Sequence, residues 1–279
     1  MSIQYILKRL LSQSPSYVFG RFLTIRRAYS LYKKLLPTSS NKFQGIRSTS
    51  IFGKLNVNHA VKDLQQTAVA FDFNLPKDIV ENIKQFADAS QLKACSLPYT
   101  FCYKDINKGE LPDGNVVAIG YVVEPEKSQS IQKVLLDPLL YQTVGNYLGY
   151  KPSNYEIRLY YSFVSNLTDQ ERRTRNQTID YHFDVHAFNF CYAHFYITDT
   201  DRDSGAHLLV KSSHKKKPIK YLLGSARKSD KEISKYYDQS NCLLIEGQGG
   251  TGFLEDTSCY HKALAPVSQD RLLLQIRFF

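Results

Sequence analysis

Between Asp180 and His194, in "DYHFDVHAFNFCYAH", the chain carries three histidines and two aspartates. Read as a strand, alternate side chains share a face, so His182, Asp184 and His186 point one way while Tyr181, Phe183, Val185 and Ala187 point the other. Alone, an H-x-D pattern more often marks a solvated polar face than a metal site. Two later segments shift that balance. "GTGFLEDTSCYHKALAP" reads as a strand ending at Asp256 and a short loop that delivers His261. "QDRLLLQIRFF" reads as a strand with Arg271, Gln275 and Arg277 on one face and Leu272, Leu274, Ile276 and Phe278 on the other. A guanidinium facing inward calls for an anionic partner, because an unpaired buried charge is costly. His182, Asp184 and His261 make a 2-His-1-carboxylate set, which occupies one face of an octahedral Fe(II) and leaves three positions open. A bidentate 2-oxo acid and O2 can take those positions, and the planar fork of Arg271 matches the far carboxylate of such an acid.

These residues need elements to hold them. "LPKDIVENIKQFA" (75–87) predicts a helix with Ile79, Val80, Ile83 and Phe86 on one face. "DPLLYQTVGNYLG" (137–149) predicts another, capped by Asp137, opened by Pro138 and stopped by Gly149. From Asn154 the pattern changes to short β-branched and aromatic runs: "YEIRLYYSFV", "DYHFDVHAF", "FCYAHFYIT", "AHLLV", "CLLIE", "TGFLED" and "RLLLQIRFF". Such runs between polar turns predict a sandwich or barrel, interrupted by one helix over 229–238 that Ser229 and Glu232 open as a capping box.

Taken in order, the H-x-D pair His182 and Asp184, the distal His261 and Arg271 ten residues later resemble the phytanoyl-CoA dioxygenase family of Fe(II)- and 2-oxoglutarate-dependent oxygenases. "DPLLYQTVGNYLGYKP", "YITDTDRDSGAHLLVKSSHK" and "GQGGTGFLEDTSCYHKALAP" strengthen the likeness, which spans residues 63–279. It implies a mainly β domain with flanking α-helices and a double-stranded β-helix core, the jelly-roll, cupin-like arrangement. It implies Fe(II) on His182, Asp184 and His261, and 2-oxoglutarate clamped by Arg271, with O2 as the second cosubstrate. The reaction implied is hydroxylation of an unactivated C–H bond in a small-molecule, lipid or glycan-lipid substrate, with release of succinate and CO2. Relatives that halogenate lack the carboxylate, so Asp184 favours hydroxylation or a related oxidation. The chain departs from the family pattern at Phe183, where a polar residue is common, and at Ser212-Ser213-His214, which replaces a glycine-serine-histidine turn. His194 falls where relatives place an aromatic residue beside the cosubstrate, which makes it a candidate contact to 2-oxoglutarate. His186 lies about 6–7 Å beyond Asp184 along a strand and is expected to border the substrate or support the ligands. Arg277 is a candidate grip for an anionic group or a solvated residue. Two rivals use the same cluster: a metal-binding or ligand-binding β-helix protein without turnover, and a zinc hydrolase, which leaves Arg271 without a role.

The net charge of +10 is concentrated, since residues 1–60 hold ten Lys or Arg and no Asp or Glu. There, apolar residues at helical spacing (Ile3, Ile6, Leu10; Phe19, Phe22, Leu31, Leu35) alternate with basic ones. We read 1–58 as a basic helical extension and 59–279 as the oxygenase domain. The extension fits a solvated helix packed on the domain, a peripheral contact of residues 1–36 with anionic membrane, or an organelle-targeting peptide. No nucleic-acid partner is expected, because the basic residues are not distributed around the predicted site. Five cysteines without a C-x-x-C pair argue against a disulfide framework and point to a reducing, cytoplasmic setting. Gly247, Gly249 and Gly252 satisfy G-x-G-x-x-G but precede no helical period, so they read as a tight strand connection. His207 and His59 are expected to be structural or exposed.

Overall fold

Strands whose apolar and polar residues alternate can turn one side to a core and the other to a cavity. A computed structural model of the protein describes residues 15–36, 43, 45–175 and 177–279. Its strands are β1 (Val69–Ala70), β2 (Gln91–Lys93), β3 (Thr100–Cys102), β4 (Ile119–Val122), β5 (Tyr155–Ser162), β6 (Cys191–Tyr196), β7 (His207–Val210), β8 (Cys242–Ile245), β9 (Gly252–Glu255), β10 (His261–Ala263) and β11 (Arg271–Phe278). Eight form a large sheet in the order β1-β9-β6-β11-β5-β4-β2-β3, and three form a small sheet, β10-β7-β8. The pairings are antiparallel throughout.

The register of the central strands sets the two sides of the large sheet. Leu272, Leu274, Ile276 and Phe278 of β11 join Leu159 and Tyr161 of β5 and Ala193 and Phe195 of β6 in one buried cluster. Helices Lys77–Ala89, Gln129–Leu135 and Pro138–Leu148 supply Ile79, Ile83, Ile131, Val134, Leu140 and Val144 to the same cluster. Each such side chain contributes about 1.5–3 kcal/mol when withdrawn from water. The opposite side carries Arg271, Leu273, Gln275 and Arg277, which face a cavity shared with His207, His261 and Ala263 of the small sheet. Two antiparallel sheets closed over a central cavity are the double-stranded β-helix expected, with its helices outside.

The predicted helix signals hold. Asp137 accepts hydrogen bonds from the amides of Leu139 and Leu140 at 2.9 and 3.1 Å, and Gly149 ends the helix with φ 81°. Ser229 and Glu232 form the capping box, but the helix spans only Asp230–Ser234. Ser212 holds φ 63°, so the serine keeps the left-handed turn that glycine would make easily. Its hydroxyl donates to Gln66 O at 2.7 Å and its amide to Thr67 O at 3.0 Å, which anchors the turn to the end of helix Val57–Thr67.

Two expectations change. Strands β1 to β4 went unread: β1 to β3 have only two or three residues, and β4 sits in "VVAIGYVV", an apolar run without alternation. "DYHFDVHAF" is extended but is not a ladder strand: Tyr181 and His182 form isolated bridges, and the Asp184 amide donates to Thr257 O at 2.8 Å. The N-terminal segment docks through basic residues. Arg21, in the turn between helices Pro15–Phe19 and Leu23–Leu35, and Arg26, in the second helix, are buried, while Phe19, Leu31 and Leu35 are 48, 67 and 85 % exposed. The helical reading of 3–10 and much of the linker at 37–50 lie outside the described residues.

Arg26 is buried for an electrostatic reason. Its guanidinium meets Asp256 at 2.9–3.0 Å, Asn189 Oδ1 at 2.8 and 3.0 Å and Ser258 Oγ at 2.5 Å, and Asp256 also accepts from Tyr147 at 2.5 Å. Asp256 is completely buried, so removing its cation strands a charge. Arg26→Met is expected to lower unfolding free energy by about 3–5 kcal/mol in urea titrations, and Arg26→Met with Asp256→Asn to recover part of that loss.

Candidate metal centre and active-site cavity

His182, Asp184 and His261 are brought together by two backbone pairings. The amide of His182 donates to His261 O at 2.9 Å and that of His261 to His182 O at 2.8 Å. His261 is therefore the first residue of β10, not part of a loop as its sequence suggested. His182 Nε2 lies 3.7 Å from Asp184 Oδ1, His261 Nε2 lies 3.8 Å from Asp184 Oδ2, and the two imidazole centroids are 4.2 Å apart. All three ligand atoms fall within 4.8 Å of one another, a spacing suited to one ion.

The tautomers suit a metal. His182 Nδ1 sits 3.1 Å from Asp180 O, and His261 Nδ1 sits 3.1 Å from Cys259 O. A carbonyl only accepts, so each Nδ1 carries the proton and each Nε2 turns a lone pair toward Asp184. Burial, and then the neighbouring His261, push the His182 imidazole down to about 4, which keeps it neutral at physiological pH. Burial works against the Asp184 carboxylate, but His261, His182 and Arg277 outweigh it and hold that group below its usual range. Arg173 grips Asp180 through two hydrogen bonds of 2.7 and 2.8 Å, which fixes the carbonyl that orients His182.

Behind the ligands stands a carboxylate that sequence reading missed. Glu255 of β9 is completely buried, with Oε2 2.8 Å from His207 Nε2 and 3.4 Å from His194 Nε2. Its Oε1 accepts from Cys259 Sγ at 3.2 Å and lies 3.6 Å from His261 Nδ1. Glu255, Cys259 and His261 are also close enough for an ion. Burial and Glu255 raise the Cys259 thiol far above its ordinary value, so here it is a neutral donor to the Glu255 carboxylate. Glu255 closes an otherwise apolar strand, "GFLE", and a lone acid there was the available signal. Gly252 opens that strand because a Cβ would meet Phe73 O at 2.1 Å, which accounts for one glycine of the G-x-G-x-x-G stretch.

Every candidate from the sequence lines one cavity of about 540 Å³: His182, Asp184, His186, His194, His261, Arg271 and Arg277. Arg271 is buried at one end, where it donates to Gly205 O and, at 3.1 Å, to Ser162 Oγ. Its Nε has no protein partner. His194 stacks on Phe253 with centroids 4.9 Å apart, and its Nδ1 is buried without a partner. His207 is buried against Glu255 and borders the same cavity, a structural placement as expected, and His59 is exposed. Arg158, Tyr160 and Ser162 of β5 were missed, although their alternation is the same signal that revealed β11.

No protein-family model matches the sequence, and no curated protein does. Structural comparison finds the epimerase SnoN, solved with Fe3+, α-ketoglutarate (2-oxoglutarate) and nogalamycin RO, at TM-score 0.52 and 10 % identity over 80 % of this chain and 83 % of SnoN. It also finds EvdO2 from Micromonospora carbonacea var. aurantiaca, at TM-score 0.52 and 13 % identity over 82 % of this chain and 93 % of EvdO2. HygX from Streptomyces hygroscopicus, solved with nickel, 2-oxoglutarate and hygromycin B, aligns at TM-score 0.50 and 12 % identity over 80 % of this chain and 87 % of HygX. The chain shares their double-stranded β-helix fold.

Within that β-helix the buried histidines give stability a pH dependence. Burial depresses His182 to about 4 and His194 to about 3, below the ordinary value near 6.5. The unfolded chain then binds protons first, so their contribution is complete above pH ~6.5 and is lost as pH falls toward ~4. The metal-free protein is expected to melt at progressively lower temperature across that window, and His194→Phe to flatten the slope in scanning calorimetry.

Proposed function

We propose that the protein is a non-haem Fe(II)/2-oxoglutarate-dependent oxygenase of the phytanoyl-CoA dioxygenase type, hydroxylating an unactivated C–H bond in a small-molecule or lipid-linked substrate. One observation carries the reading: two imidazoles with both Nδ1 atoms tied to carbonyls turn their Nε2 atoms toward Asp184, in a cavity that also holds Arg271. The fold shared with SnoN, EvdO2 and HygX supports it, and SnoN and HygX are proteins solved with 2-oxoglutarate and a metal.

His182, Asp184 and His261 would hold the ion, and the donor set of two neutral nitrogens and one carboxylate suits Fe(II). When bound, iron with 2-oxoglutarate and O2 supplies the oxidising chemistry. The chain's own residues do the rest. Asp180 O and Cys259 O fix the imidazole tautomers, and Glu255 supports His207, His194 and Cys259 behind them. Arg271 offers an unpartnered Nε–H to the far carboxylate of the cosubstrate, with Ser162 and Gly205 O holding the guanidinium in place. His194, stacked on Phe253, shares the cavity with a free Nδ1. Asp184 is retained, which favours hydroxylation, since a carboxylate there leaves no ligand position for halide. The phytanoyl-CoA dioxygenase assignment draws on the order of His182, Asp184, His261 and Arg271 and on the flanking stretches that match that family.

Anaerobic protein given Fe(II) and 2-oxoglutarate is expected to show a visible metal-to-ligand charge-transfer band, and on exposure to air to form succinate slowly. His182→Ala combined with His261→Ala should abolish the band. Arg271→Leu should weaken 2-oxoglutarate binding by roughly 10–100-fold, the loss of about 1.5–3 kcal/mol of charge-assisted hydrogen bonding. Absence of the band in correctly folded, iron-loaded protein sinks the assignment.

A further inference from the structure

The proposed reaction uses one end of the cavity. Arg271 and Arg277 both face inward from β11, six residues apart, which is roughly 20 Å along a strand. Each guanidinium is held at its own end of the ladder: Arg271 by Ser162, its register partner on β5, and Arg277 by Glu156, also its register partner. A five-carbon dicarboxylate anchored at Arg271 does not extend to the Arg277 end. The ends also differ in access, because Arg271 is 2 % exposed while Arg158 and Glu156 side chains are 34 and 36 % exposed. The closed end suits the cosubstrate and the open end suits the substrate.

Charge at the open end is unbalanced. Arg158 meets Glu156 Oε1 at 2.7–2.8 Å, and Arg277 meets Oε2 of the same carboxylate at 3.3 Å. Two guanidinium groups share one acid, and the other carboxylate on which Arg277 acts, Asp184, is one that would hold the ion. Arg277 is kept in place by Gln275 Oε1 at 2.7 Å and lies over the Tyr192 ring at 4.9 Å. Beside them Tyr121 and Tyr160 form a tilted ring pair 5.4 Å apart that also lines the cavity. An apolar or neutral substrate leaves this excess charge unanswered.

Resting on the oxygenase reading, we propose that the substrate bears a phosphate monoester, bound by Arg158 and Arg277. Guanidinium forks match phosphate oxygens in geometry and charge. The adjoining carbon skeleton lies against Tyr121 and Tyr160, which directs it toward His182, Asp184 and His261.

The test uses the full chain, anaerobic and saturated with Fe(II) and 2-oxoglutarate so that Arg271 is occupied, and phenyl phosphate as the probe. Calorimetry should show one equivalent binding at least ten times more tightly than benzoate, with benzyl alcohol not detected. Arg158→Gln should weaken phenyl phosphate at least 10-fold while the charge-transfer band of the cosubstrate persists, and Arg158→Lys should restore part of the affinity. Phosphatidate vesicles tell lipid-borne phosphate from a soluble ester, and Arg158 dependence is required of either. Loaded protein that ignores phenyl phosphate, prefers benzoate, or binds phenyl phosphate unchanged after Arg158→Gln overturns the proposal. Failure of the band instead overturns the oxygenase reading, and phenyl phosphate titrated into the metal-free protein then judges the arginine site alone.

Discussion

Two hydrogen bonds between the backbones of His182 and His261 hold the site together. They join segments almost eighty residues apart and set both imidazoles on one side of Asp184. Neither segment could do this by local structure, since 183–190 has no ladder partner and β10 has only three residues. The large sheet supplies the rigid wall, and the small sheet supplies the distal ligand through the pairing of β10 with β7. A site assembled from two short pieces needs support behind each, and the buried polar residues provide it.

That support is mostly charged, which is uncommon for an interior. Glu255 stands against His194, His207 and Cys259, and Asp256 stands against Arg26, Tyr147 and Ser258. The two acids are neighbours on the chain, and as strand β9 ends they serve different layers: Glu255 the cavity, Asp256 the N-terminal helix. Burial opposes ionisation of both, yet histidines around Glu255 and Arg26 beside Asp256 keep each well below the usual carboxylate range. Apolar substitutes would fill the space but would not orient rings.

Much of this was legible in sequence because alternation is a strong signal in strands of eight residues. β11 announced both its core face and its cavity face, and the ligand set with Arg271 followed from order and spacing. Asp137, Pro138 and Gly149 announced a helix through the chemistry of its ends. What escaped was non-local or short. β1 to β3 are too short to show a period, β4 lies in an apolar run without alternation, and His261 looked like a loop residue because its pairing partners come from distant positions. Leu31 and Leu35 showed a helical spacing that left open which side is covered, since such spacing says which residues share a side and no more. Arg26 was decided by Asp256, and only the folded chain places the two together.

The helices at 15–35 do more than cover the domain. Gly20 lies so close to the 185–187 backbone that a Cβ would sit 2.6 Å from Ala187 O, and Arg21 spans Phe183 on one side and the carbonyls of Leu222 and Gly224 on the other. Phe183 stands between the candidate ligands His182 and Asp184, so the N-terminal segment braces a part of the site that has no strand beneath it. Thermodynamic reciprocity then applies: an ion that favours the assembled ligands also favours the docked N-terminus, and by the same amount the docked N-terminus tightens the ion. A fusion or cleavage near residue 20, far in sequence from His182, Asp184 and His261, would in energetic terms perturb the affinity of that candidate site for an ion.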